Sequence, residues 1–93
     1  MSGMVEQPFH CWVYRSSRKD EMYLYLAVEN DFDCLPVQLQ KNFGAPRLVM
    51  ELDLQPHRPL AREDVNRVIG NLQQQGFHLQ LPPKLTPELY HGE

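Results

Sequence analysis

Few of the residues that usually announce chemistry are present in this chain. Its two cysteines, Cys11 and Cys34, stand far apart, with no Cys-x-x-Cys pair, so a disulfide framework is not expected. Two isolated thiols with no other staple point to a reducing, cytoplasmic setting. Apolar stretches such as 23–28 are far too short to span a bilayer. The opening residues, MSGMVEQPF, lack a charged region followed by an apolar run of about 7–15 residues, so no signal peptide is expected. Excess positive charge is missing too. Nine Lys and Arg against 12 Asp and Glu give a net charge of -3, which disfavours dedicated non-specific DNA binding but leaves room for a local basic patch. The histidines His10, His57, His78 and His91 follow no ligand spacing, and no metal or cofactor is expected. Repeats and low-complexity segments are absent.

What is present is an ordinary globular composition, 42% apolar and 23% charged over 93 residues, enough for one domain with one modest core. Residues 1–8 read as a loose leader, 9–83 as the folded domain and 84–93 as a tail whose Leu85, Leu89 and Tyr90 can dock on the sheet. The stretch 10–28 organises the rest. Trp12, Val13 and Tyr14 give strong β character to a strand over 9–15, and a second strand over 22–28 alternates. Between them lies the densest basic cluster of the chain, Arg15, Arg18 and Lys19.

The hairpin register can be argued from side-chain type. Pairing Tyr14 with Tyr23 and Trp12 with Tyr25 sorts Cys11, Val13, Leu24 and Leu26 onto one face. Trp12, Tyr14, Tyr23 and Tyr25 fall on the other, and a slip of one residue would mix them. A helix is expected over 34–42, with Asp33 as N-cap, Pro36 in the first turn and Gly44 at the stop. A strand over 47–54 turns Leu48, Met50, Leu52 and Leu54 inward. A second helix over 62–75 carries the stripe Val65, Val68, Ile69 and Leu72, with Asp64 in its first turn, Leu60 and Val65 as a hydrophobic staple, and Gly76 at its end. The last strand, 77–81, turns Phe77, Leu79 and Leu81 inward and His78 and Gln80 outward. The expected architecture is α+β: a single small domain in ββαβαβ order, with a mixed four-stranded sheet and both helices on one face.

The chain resembles the YcgL-domain family of small bacterial proteins. The resemblance rests on Cys11 and Val13-Tyr14-Arg15-Ser16-Ser17, on Tyr23-Leu24-Tyr25-Leu26, Asp31-Phe32, Pro36 and Phe43-Gly44, on Leu60-Ala61-Arg62-Glu63-Asp64-Val65, and on Gln75-Gly76-Phe77-His78-Leu79-Gln80-Leu81-Pro82-Pro83. It implies a compact α/β domain of a soluble bacterial protein and brings no catalytic residues, cofactor or enzymatic activity with it.

Several candidate sites remain. Cys34 near a helix N-terminus has the placement of an activated thiol, but no histidine stands at a partner's spacing, so a buried structural thiol is the plainer reading. Arg15, Arg18 and Lys19 beside Ser16 and Ser17 can hold a phosphate, although the loop has no glycine and is no P-loop, and Asp20 and Glu21 partly neutralise it. Glu63 and Asp64 diverge on a helix and read as helix-end stabilisers. The expected surface joins the aromatic face to the basic loop: Trp12, Tyr14, Arg15, Arg18, Lys19, Tyr23, Tyr25, His78 and Gln80. Such a surface fits a non-enzymatic interaction domain that binds a protein partner or a second copy of itself. RNA stacked on the same aromatics is the alternative, and an enzyme with an unrecognised site is a third reading. Neither a membrane nor a metal is expected as a partner.

Overall fold

The computed structural model describes residues 8–60 and 63–82. The leader up to residue 7, the helix start at Ala61 and Arg62, and the tail with its docking residues lie outside the described residues. Four strands, β1 (Phe9–Arg15), β2 (Tyr23–Leu26), β3 (Arg47–Leu54) and β4 (Phe77–Gln80), alternate with two helices, α1 (Val37–Phe43) and α2 (Val65–Gln75). A short 3-10 turn, Phe32–Cys34, precedes α1. The α+β class and the ββαβαβ order are those expected.

The sheet has the order β3-β1-β2-β4, and every neighbouring pair is antiparallel. This corrects the expected mixed sheet. Strands β2 and β3 do run in the same direction, but β1 lies between them, so no parallel ladder forms.

Nor do both helices share a face. Cys11, Val13, Tyr25 and Leu54 pack with Val65, Val68 and Leu72 of α2. Tyr14, Leu24 and Leu26 pack with Leu35 and with Phe43 of α1. Successive strand side chains point to opposite faces, so these clusters lie on the two sides of one sheet. The central strands are covered on both.

This double cover explains why the hairpin register is not the expected one. The observed pairs are Trp12 with Leu26, Val13 with Tyr25, Tyr14 with Leu24 and Arg15 with Tyr23. The difference is one residue, and one residue flips a strand's faces. Tyr23 and Tyr25 join Cys11 and Val13, while Leu24 and Leu26 join Trp12 and Tyr14. Each covered face accepts both aliphatic and aromatic residues, provided the buried hydroxyls find partners.

The same cause reorders β4. His78 and Gln80 are buried rather than outward, while Phe77, Leu79 and Leu81 pack into the α1 cluster. Strand β3 is an edge, so Leu48 and Met50, expected inside, are 46% and 50% exposed. Its pairing with β1 shifts between Val13 and Tyr14, leaving Val49 as the extra residue of a bulge.

Helix ends differ by a few residues. The first helix begins after Pro36, so Cys34 sits in the preceding turn and Asp33 is not its N-cap. In α2 the N-cap is Asp64, whose side chain accepts from the Asn66 amide at 3.0 Å, rather than a third-position residue. Gly76 ends α2 in the left-handed region at φ 88°, as its type suggests.

Candidate functional site

The aromatic half of the expected surface lies inside the protein. Tyr14 is 2% exposed; its hydroxyl donates to Asn30 Oδ1 at 3.2 Å and accepts from the Asn30 amide at 2.9 Å, and its ring meets Phe32 edge-on. Tyr25 is buried, and its hydroxyl donates to Gln80 Oε1 at 2.8 Å. His78 donates from Nε2 to Glu63 Oε1 at 2.6 Å and accepts from Asn71 Nδ2 at 2.9 Å, tying β4 to α2. Glu63 therefore anchors a buried histidine besides standing at a helix end. Trp12 and Tyr23 are partly buried on opposite faces. Trp12 Nε1 is buried with no hydrogen-bond partner among the described residues.

The basic half is exposed, and it is held firmly. Ser16 is buried and donates from Oγ to the Phe43 carbonyl at 2.6 Å, which binds the hairpin loop to the end of α1. The same oxygen accepts from the Arg18 and Lys19 amides, each at 3.0 Å. Ser17 Oγ accepts from the Ala45 amide at 2.8 Å. Gly44 makes this approach possible. At φ 78° it occupies the left-handed region, and a Cβ there would collide with the side chains of Arg18 and Ser17. The two serines that sequence reasoning offered as phosphate donors thus fix the loop instead.

The fold adds a residue that sequence reasoning missed. Strand β3 begins beside the loop, and Arg47 pairs directly with Arg15. Their cross-strand row continues to Tyr23 and Gln80. Arg15 and Arg47 line a cleft of about 380 Å³ with Ser17, Asp20 and Pro46. Pro46 also borders an adjoining apolar cleft of about 190 Å³ formed with Phe32, Leu35 and Phe43. None of Arg15, Arg18, Lys19 or Arg47 makes an ion pair among the described residues. Only the pairing of distant strands brings Arg47 to the loop, so its number alone gave no signal.

At the opposite end of β1, His10 faces Asp53 Oδ1 from Nδ1 at 2.5 Å and Glu51 Oε1 from Nε2 at 2.8 Å. Two carboxylate acceptors require two N–H donors, which only the imidazolium supplies. The hydrogen bond to Asp53, then that to Glu51, raises the His10 pKa above 6.5. Burial pushes the Cys11 thiol up to about 12, with the Asp53 charge adding to it. Cys34 is also raised, first by burial and then by the Asp31 charge. That is the reverse of an activated thiol. Among the described residues no group of three or more His, Cys, Asp or Glu side chains is placed to hold a metal ion, and no helix is long and apolar enough to cross a membrane.

The geometry defines a small α+β domain: a four-stranded antiparallel sheet between two helices, with a braced basic loop at one end. The YcgL domain model matches residues 11–83, and the chain belongs to that family. A YcgL domain-containing protein of Stutzerimonas stutzeri is 51% identical over 81 residues, covering 87% of this chain and 84% of the relative. A second, from Thioalkalivibrio sulfidiphilus, is 45% identical over 73 residues, covering 78% of this chain and 90% of the relative. One from Pseudomonas aeruginosa is 52% identical over 73 residues, covering 78% and 75%. All three relatives are bacterial.

Proposed function

We propose that this chain is a non-enzymatic interaction domain of the bacterial cytoplasm that binds an acidic segment of a partner protein at the basic end of its sheet. Arg15, Arg18, Lys19 and Arg47 provide the charge, and Tyr23 flanks them in the cross-strand row. The observation that carries this reading is a rigid loop presenting cations that have no ion pair among the described residues. A braced loop loses little entropy on binding. The adjoining apolar cleft favours a peptide over RNA, because a peptide can offer a carboxylate and an apolar side chain together. Burial of Tyr14 and Tyr25 removes the stacking platform an RNA would need.

The test is a titration with a peptide rich in Glu, Asp and Leu, followed by amide shifts at residues 15–20 and 44–47. Saturable shifts that vanish in the Arg18→Glu, Lys19→Glu double variant support the reading. Tighter binding of a single-stranded RNA oligonucleotide, with a steep fall in salt, would replace it by the RNA alternative.

A further inference from the structure

The last residue of β1 and the first of β3 lie side by side and carry like charges. Arg15 and Arg47 are direct partners in an antiparallel ladder. Opposed residues have Cβ atoms about 4.5–5.5 Å apart, and like charges there repel. Both arginines are exposed, and neither is neutralised by a carboxylate among the described residues. Asp20 lines the same cleft, yet it too makes no ion pair among the described residues. Stability alone would favour a neutral or acidic residue at one of the two positions. An unneutralised pair of cations is what an anion site needs.

The shape of the cleft narrows the anion. A carboxylate has one charge and two oxygens in a plane, which suits a single guanidinium fork. Two guanidinium groups lining one cleft suit a group with three terminal oxygens and nearly two charges. Ser17, whose oxygen accepts from the Ala45 amide, holds the wall of the cleft in place. Asp20 in the lining opposes a chain of successive phosphates, and so does the net charge of -3.

We propose that the cleft between Arg15 and Arg47 binds a phosphate monoester, carried on a side chain of the partner or on a free small molecule. This rests on the reading of the basic end as the binding surface and names the group that it takes there.

The experiment compares four probes at matched ionic strength: inorganic phosphate, glycerol phosphate, a phosphoserine peptide and the same peptide with Glu in place of phosphoserine. Binding is followed by calorimetry and thermal unfolding. The expected result is monoester binding that weakens by about tenfold or more in both Arg47→Gln and Arg15→Gln. Without ligand, Arg47→Gln unfolds at a higher temperature than the original chain at low salt, because the repulsion is gone. Asp20→Asn tightens the monoester. Binding of the phosphopeptide but not of glycerol phosphate identifies a partner's side chain; binding of both extends the site to free monoesters. If the Glu peptide binds as well as the phosphopeptide, the monoester site is overturned while the acidic-segment reading stands. If no probe binds, both fall.

Discussion

At the scale of single residues, Gly70 and His10 lead to the clearest measurements. Gly70 lies inside α2, and a Cβ built on it meets nothing within 4 Å. Glycine within a helix costs about 1 kcal/mol relative to alanine. Gly70→Ala is therefore expected to stabilise the protein by about that amount, read as a higher urea midpoint with an unchanged slope. His10 leads to a pH dependence. Its raised pKa means that the folded state holds the proton more tightly than the unfolded chain. The contribution of its bonds to Asp53 and Glu51 is fully present below 6.5 and is lost as pH rises through the raised value. Against His10→Gln, the original chain should show its largest relative stability on the acid side of that value, above the carboxylate range near about 4. A stability difference that grows with rising pH would contradict this assignment.

At the scale of elements, the hairpin loop depends on one hydroxyl. Ser16 Oγ serves the Phe43 carbonyl and two loop amides at once. Its removal leaves a buried carbonyl and two amides without this partner. Ser16→Ala is expected to cost about 1–3 kcal/mol. Amide exchange at Arg18 and Lys19 should accelerate before exchange in β1 does. Unchanged protection there would mean that the loop is held by something else. The strands themselves were readable to different degrees. Strand β3 falls on the residues its alternation suggests, because Gly44 and Pro46 bound it on one side and Pro56 on the other. Asp33 and Pro36 both carry helix-start signals, and α1 uses only the second, so it begins later than the first of them suggests.

At the scale of the whole molecule, the sheet is a layer between two helices, and thiol accessibility reports on that arrangement. Cys11 is 0% exposed under α2, with its pKa pushed up to about 12, whereas Cys34 is partly exposed. A thiol reagent at neutral pH should label Cys34 slowly and leave Cys11 untouched until unfolding exposes it. Labelling of both cysteines at one rate in the native protein would contradict the layered core. The residue types determined the element order, the α+β class and the exposure of Arg15, Arg18 and Lys19, because turns, periodicity and charge are local properties. The hairpin register, the distribution of the helices over two faces and the meeting of Arg15 with Arg47 were decided only by tertiary structure. When both faces of a sheet are covered, Tyr and Leu are equally welcome on either, so side-chain sorting no longer fixes the register. Which strand lies beside β1 is a matter of how the connections cross, and no local pattern encodes it.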